Sequence, residues 1–434
     1  MAHLAVVLTV LLLFGSAGTG AQADPQIAGG IDLTKAASYL AEFEELCKAD
    51  GGKLWGVSFC GPFLLVDPST RAVVANRADS GGLLEPRSSL YVGQLPENVM
   101  IANTAVEWSG LRWTMLMWWS LSENRTDRLA LMAHEAFHRV QPELKLEPSG
   151  SMNSHLDTAD GRFWLQLEWN ALGKALLLDG EAKRAAVADA LAFRAARRGK
   201  FPNVAERENA LEIFEGLAEY SGMRLVGFSP QQVVQAVDKK RAGERGFVRS
   251  FAYNSGPLYG FLLDRASDGW RRRVRADSDL AGLLAHALGL VQGTAGRAEL
   301  RAEAHGGAAL RASENQREKK RQAQITAWRA ALIDGPVLVL DLKSVTSGTF
   351  DPRAVFPMAE QQIVYTRREL MAEWGTLRVD AGAILEDQAA GRGYVSLAGV
   401  SPDHLKGEGW TLKVNPGWKL LPGPRSGDFM IVKE

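Results

Sequence analysis

The sequence predicts an α+β protein in which a small mixed sheet precedes a helical half and an all-β domain follows. Residues 32–121 combine one helical stretch with short apolar segments, whereas residues 124–333 place apolar side chains at helical spacing. Beyond Gly335-Pro336 the apolar period changes to two, which is typical of strands. Strands that precede helices indicate an α+β order, because a parallel α/β sheet would need the two to alternate along the chain.

The same changes of pattern predict the domain organisation. We expect a signal peptide at residues 1–23, an N-terminal α/β part at 24–122, a helical part at 123–333 and a C-terminal β domain at 336–434. A chain of 434 residues is long enough for two or three domains.

The N-terminal residues are typical of a secretory signal peptide. An apolar stretch from Leu4 to Phe14 is followed by small residues and by Ala21-Gln22-Ala23, which suits cleavage before Asp24. This stretch is too short to cross a hydrocarbon core of about 30 Å. We therefore expect a secreted or periplasmic protein without stable membrane insertion after cleavage. A retained signal anchor is the alternative, because no Lys or Arg precedes the apolar stretch.

Charge and cysteine content exclude two classes of protein. The chain carries 50 Lys and Arg against 50 Asp and Glu, so it lacks the basic excess that a dedicated nucleic-acid binder needs. Its two cysteines, Cys47 and Cys60, are too few for a cysteine-rich zinc ribbon. Any metal site must therefore use histidines and carboxylates. In an exported protein the two cysteines form either a local disulfide or two buried thiols.

The N-terminal part is predicted to contain one helix and several short strands. The helix covers Leu33 to Ala49. The predicted strands are Leu54–Phe59, Pro62–Val66, Arg71–Asn76, Ser89–Val92 and Val99–Ala102.

The helical spacing predicts the helices of the second part, and the period of two predicts the strands of the β domain. The principal predicted helices are Arg162–Leu178, Glu181–Arg198, Arg207–Leu225 and Pro230–Ala242. The first two form a helical hairpin that turns at Asp179-Gly180. The predicted strands of the β domain are Val337–Leu342, Gln362–Tyr365, Gly375–Val379, Tyr394–Leu397, Trp410–Val414 and Phe429–Val432.

A further helix, predicted around residues 127–140, carries the motif H-E-x-x-H. His134 and His138 are one helical turn apart and can bind one metal ion, and Glu135 lies beside them as a general base. The flanking residues are apolar and would bury these three polar side chains, so a bound cation would stabilise them. The pattern predicts a hydrolytic zinc site, which needs a third protein ligand.

The third ligand is predicted from a second motif, F-E-G-L-A-E-Y, at residues 214–220. It resembles the glutamate helix of gluzincin metallopeptidases, and the resemblance implies that Glu215 binds zinc while Glu219 orients a ligating histidine. The metzincin continuation is excluded, because Gln141 and Leu144 stand where that subclass has Gly and His. The resemblance also implies a zincin-like catalytic domain.

Other carboxylates remain open as the third ligand. His138 and Glu215 are 77 positions apart, a wider spacing than gluzincin aminopeptidases show. Glu168 lies nearer in an apolar setting, and Asp157 or Asp160 would suit an aspartate-ligated zincin.

Two weaker matches complete the resemblance. Tyr253 and Gly256 match the Y-x-x-G of the family, which implies that the Tyr253 hydroxyl stabilises an oxyanion; a core tyrosine in a helix is the alternative. Glu107, in the segment Ala105 to Leu111, loosely matches the substrate strand of the aminopeptidases, where it would bind a substrate amine.

These observations predict an exported zinc metallopeptidase that acts on peptides or proteins, with Zn²⁺ as its cofactor. A second hypothesis is a zincin-fold binding or maturation protein whose β domain binds a protein partner without significant catalysis. A non-peptidase hydrolase is the third. The intact His134, Glu135 and His138 favour the first hypothesis, because a degenerate site has no need of a general base.

Overall fold

The chain forms two compact units, which are described separately. The computed structural model describes residues 27–147, 153–244, 246–291, 295–351, 354–359, 361–400 and 405–434. The predicted signal peptide at 1–23 lies outside these residues. The first unit extends to Gln316 and the second runs from Arg317 to Glu434. Within the described ranges, no helix combines the length and the hydropathy that crossing a membrane requires.

The first unit begins with a short strand pair, one helix and a six-stranded mixed sheet. Strands β1 to β8 are Ile27–Ala28, Ile31–Asp32, Phe63–Val66, Ala72–Ala75, Glu85–Arg87, Leu90–Gln94, Thr104–Trp108 and Leu111–Met117. Helix α1 is Leu33–Asp50. The order of the sheet is β5-β6-β4-β3-β8-β7, so β7 forms one edge. Among the paired neighbours in this sheet, only β3 and β8 are parallel.

Two of the strands predicted in this part are wrong. The segment Leu54–Phe59 forms turns, because Gly51, Gly52 and Gly56 all adopt positive φ and bend the chain repeatedly. Trp55 and Phe59 of this segment are nevertheless buried in the core, and Leu54 and Val57 pack against it. Residues 99–102 are also irregular, and the chain instead pairs β7 with β8 as a hairpin.

The described residues of the helical half form eleven α-helices. Helices α2 to α12 are Arg125–Leu144, Ala159–Leu176, Gly180–Lys200, Ala205–Leu211, Leu217–Leu225, Pro230–Gly243, Phe251–Ala266, Trp270–Arg273, Leu280–Ala287, Ala295–Arg301 and Gly307–Arg329. The predicted hairpin is confirmed as α3 and α4, which pack along each other. A π-helical segment, Glu212–Gly216, joins α5 to α6.

Helix α2 occupies the core of the first unit. Its N-terminus is capped by Asn124, whose side chain accepts a hydrogen bond from the Asp127 backbone amide. The helix packs against β7, β8 and α6. A disulfide joins Cys47 at the end of α1 to Cys60, and the Phe59 ring beside it contacts Phe137 of α2. The disulfide thus tethers a segment that packs directly on this helix.

The second unit carries twelve described strands in two sheets. Strands β9 to β20 are Val337–Asp341, Val345–Phe350, Val355–Ala359, Gln362–Tyr365, Arg368–Ala372, Gly375–Val379, Ile384–Asp387, Arg392–Ser396, Lys406–Gly407, Trp410–Val414, Trp418–Pro422 and Phe429–Lys433. One sheet has the order β10-β13-β14-β18-β17 and the other β11-β12-β15-β16-β9-β20-β19. The molecule is therefore α+β, with a helical half and a C-terminal all-β region, as predicted.

Candidate metal centre

Helix α2 holds the first three residues of the site. His134, Glu135 and His138 are all buried, with His134 only 3 % exposed. Their buried neighbours on the helix are mostly apolar and include Met132, Ala133, Ala136 and Phe137. Three polar side chains in such surroundings need partners, because burying them unpaired would destabilise the fold.

Glycines bring the second helix against the first. At Gly222 of α6, a Cβ atom would lie 2.5 Å from the carbonyl oxygen of Ala130 in α2, closer than any side chain allows. At Gly256 of α8, a Cβ atom would lie 2.2 Å from the Cα of Gly216. The two close approaches place Glu215, Glu219 and Tyr253 beside the histidines, so the glycines of both motifs have a packing role.

The ligand atoms of His134, His138 and Glu215 converge on one point. The two Nε2 atoms are 3.1 Å apart, and Glu215 Oε2 lies 3.6 Å from His134 Nε2 and 3.4 Å from His138 Nε2. A tetrahedral zinc ion with bonds of about 2.05 Å separates its ligands by about 3.3 Å. The three observed edges are close to this value. Among the described residues, this is the only group of three such side chains whose ligand atoms converge in this way.

Partners on the far side of each imidazole determine its tautomer. His134 Nδ1 lies 3.0 Å from Glu219 Oε2, and His138 Nδ1 lies 2.7 Å from Gln141 Oε1. The Gln141 amide is oriented by the Phe214 carbonyl, to which its Nε2 donates at 3.0 Å. Glu219 and Gln141 therefore present acceptors, so both Nδ1 atoms carry the proton.

The consequence is that the two Nε2 atoms, which are acceptors in the neutral imidazoles, face each other at 3.1 Å. Two acceptors at this distance repel each other unless a cation or a shared proton lies beside them. Neutral imidazoles with Nδ1 bonded to an outer acceptor are the form in which histidines bind metal ions. The donor set of two imidazole nitrogens and one carboxylate suits zinc.

The charges of the site are balanced by carboxylates and one lysine. Burial opposes the ionisation of Glu219, but Lys240 and His134 outweigh it and lower the pKa of Glu219 to about 2. Burial likewise opposes protonation of His134, yet hydrogen bonds to Glu215 and Glu219 raise its pKa to about 10. The histidines in turn hold the pKa of Glu215 well below its usual value despite burial. Without a metal, a proton therefore takes the place of the cation.

Glu135 and Tyr253 lie next to the three ligand atoms. Glu135 is buried, and its Oε2 has no hydrogen-bond partner among the described residues. Burial raises the pKa of Glu135 above its usual value. The Tyr253 hydroxyl donates to Glu215 Oε2 at 2.6 Å, and its ring stacks on His134 with centroids 5.5 Å apart. Burial and Glu215 raise the pKa of Tyr253 well above its usual value, so the hydroxyl remains a donor.

The competing carboxylates lie in other ion pairs. Glu168 accepts hydrogen bonds from Arg194, Arg197 and Tyr259 in a buried network. Asp160 pairs with Arg311 at 2.6 Å, and the Asp157 carboxylate pairs with Arg162 at 3.5 Å. None of the three belongs to the converging group.

Glu107 lies on the edge strand β7, outside the converging group. Its carboxylate is mostly exposed and pairs with Arg112 at 3.1 Å. The Arg112 guanidinium also donates to the carbonyl of Arg139 in α2. Glu107 is therefore linked to helix α2 through Arg112 but does not belong to the group that His134, His138 and Glu215 form among the described residues.

Sequence reasoning missed three residues of the site. Gln141 lies three positions after His138 on the same helical face, so its spacing could have revealed it. Lys240 of α7 forms an ion pair with Glu219, and Arg249 lies 3.8 Å from Glu215 Oε1. No local pattern marks either cation, because each reaches the site through the packing of distant helices.

Comparisons with protein-family models, with curated proteins and with solved structures found no match for this chain. The short motifs and the geometry of the site are therefore the features that indicate a function.

Proposed function

We propose that the protein is a zinc-dependent metallopeptidase with a zincin-like catalytic unit. The observation that carries the proposal is the pair of buried Nε2 atoms 3.1 Å apart, whose partners Glu219 and Gln141 leave both as acceptors beside Glu215. A cation is the group that this arrangement fits. The motif in which the ligands occur supports peptide hydrolysis, because H-E-x-x-H places a carboxylate next to the metal ligands.

Each residue of the site has a role in the proposed reaction. When bound, zinc supplies Lewis acidity toward a carbonyl oxygen and toward water. His134, His138 and Glu215 hold it, while Glu219 and Gln141 orient the two imidazoles. The substrate is a peptide or a protein.

Glu135 is the proposed general base and then the general acid. Its free Oε2 can take a proton from water and pass it to the leaving amine. Burial raises the pKa of Glu135, and this direction favours its holding a proton for transfer to the leaving amine. The Tyr253 hydroxyl is the proposed donor to the negative charge that develops on the scissile carbonyl oxygen.

An extracytoplasmic location is part of the proposal. The apolar stretch at residues 4–14 predicts export, and the Cys47–Cys60 disulfide is typical of an oxidising compartment. A binding or maturation protein with a partner at the β region is the alternative. It is less well supported, since a protein without catalysis gains nothing from a buried carboxylate oxygen that, among the described residues, lacks a hydrogen-bond partner.

The test compares Glu135→Gln with Glu143→Gln, an exposed position on the same helix. Wild type and both variants should hold about one equivalent of zinc, since neither glutamate is a ligand. Cleavage of a mixed peptide library should fall by at least about 10²-fold in Glu135→Gln and should be unchanged in Glu143→Gln. Equal cleavage by both variants, or no cleavage by zinc-loaded wild type, would overturn the peptidase assignment.

A further inference from the structure

Arg249 is an exposed cation at the metal centre. It lies in the turn that precedes α8, and its side chain is 72 % exposed. The guanidinium is 3.8 Å from Glu215 Oε1, a loose ion pair, and makes no hydrogen bond to any residue in the described part of the chain. Lys240, in contrast, is largely buried and pairs with Glu219. Arg249 therefore retains free donors beside a metal ligand.

The two cations at the centre differ in how they are paired. Lys240 forms an ion pair with Glu219 and also interacts with Glu244, whereas Arg249 has only the loose ion pair with Glu215 among the described residues. Glu215 is itself one of the three residues whose ligand atoms converge, so a metal ion bound there would take up the charge that Arg249 faces. Arg249 is therefore the cation at the centre that is available to an anionic ligand.

We propose that Arg249 recognises a carboxylate of the peptide substrate next to the bond that is cleaved. This inference rests on the proposed peptidase function and names the substrate class of that site. Arginine suits the role, because its planar guanidinium can bind both oxygens of a carboxylate at once. Glu215 is one of the three residues whose ligand atoms converge, so a group bound by the Arg249 guanidinium would lie beside the metal site.

Two carboxylates in a peptide have this chemistry. One is the α-carboxylate at the C-terminus, whose capture would make the enzyme a carboxypeptidase. The other is an aspartate or glutamate side chain, whose capture would give an endopeptidase that prefers acidic residues. Arg249 would act on either through the same contact, so paired peptides are needed to separate them.

The experiment measures peptide binding with zinc-loaded Glu135→Gln protein, in which turnover is blocked. Fluorescence anisotropy gives Kd for two pairs of labelled peptides: a free against an amidated C-terminus, and, with amidated ends, Glu against Gln at each position. The carboxylate member of one pair should bind at least about tenfold more tightly, as expected for a charge-assisted contact. The pair that shows the preference identifies the source.

Matched arginine variants assign the preference to one side chain. In the Glu135→Gln background, Arg249→Gln should abolish the preference, whereas Arg272→Gln, an exposed position on α9, should keep it. Absence of a preference in both pairs, or a preference that survives Arg249→Gln, would overturn the inference. Cleavage of the same peptides by wild type is measured in parallel. If cleavage occurs without a carboxylate preference, only this inference fails; if no peptide is cleaved, the proposed function fails.

Discussion

Replacing Gln141 with leucine should weaken zinc binding without removing a ligand. Gln141 is 1 % exposed, and its Oε1 accepts the Nδ1 proton of His138 at 2.7 Å. The leucine side chain has a similar size but no acceptor. The His138 tautomer that binds metal would then carry a buried N–H without a partner, while the other tautomer would place its proton on the metal-binding nitrogen.

The size of the effect follows from this lost hydrogen bond. A buried donor left without a partner costs about 1–3 kcal/mol. At 1.4 kcal/mol for each factor of ten, the zinc Kd should rise about 5- to 150-fold. Outer partners of metal-bound histidines contribute about 10- to 100-fold to affinity, which agrees with this range.

The assay is competition for zinc with a chromophoric chelator at one fixed pH, together with chemical unfolding of each variant. Gln141→Glu keeps an acceptor for His138 and should bind zinc at least nearly as well as wild type. Gln166→Leu also removes a side-chain amide, but this amide bonds to Arg162 and Glu314, and zinc binding should not change. A folded Gln141→Leu protein with wild-type zinc affinity would refute the tautomer argument.

Two further predictions concern the third ligand and the proton that the metal replaces. Glu215→Gln should weaken zinc binding severely and leave the fold intact. Glu168→Gln should retain zinc but lower the free energy of unfolding by about 3–5 kcal/mol, because it breaks a buried ion pair with Arg194 and Arg197. Metal analysis and urea unfolding of both variants would show the opposite ranking if Glu168 were the ligand. Zinc binding near pH 7 should release about one proton, because the raised pKa of His134, about 10, means that the metal-free site is protonated there. Zinc affinity should therefore rise with pH up to about 10. Calorimetry of zinc binding in buffers of different ionisation enthalpy measures the released proton, and a binding heat that did not depend on the buffer would contradict the prediction.

Local patterns in the sequence were enough to predict the element types over much of the chain. The change from helical spacing to a period of two after Pro336 predicted the C-terminal strands, six of which lie close to their expected positions. The spacing of His134 and His138 alone predicts that both imidazoles lie on one face of a helix, because four residues make about one turn. Their convergence to 3.1 Å agrees with this prediction.

Only tertiary packing distinguishes the roles of residues that have similar neighbours in the sequence. Glu168 and Glu215 both lie among apolar neighbours on helices, so the sequence left both open as ligands. Packing of α3 on α4 brings two arginines to Glu168, whereas the close approach at Gly222 brings Glu215 to the histidines. The segment Leu54–Phe59 was predicted as a strand from its apolar residues, but Gly56 within it and Gly51 and Gly52 before it bend the backbone into turns.

The sequence by itself determined the chemical types at the site: two imidazoles one turn apart, a carboxylate beside them and a second glutamate helix. Tertiary structure decided which tautomer each imidazole adopts and which cations reach the site. The reason is the number of positions along the chain over which each kind of contact acts. Helical spacing relates residues three or four positions apart, but the Phe214 carbonyl that orients Gln141 is 73 positions away, and Lys240 and Arg249 arrive on separate elements.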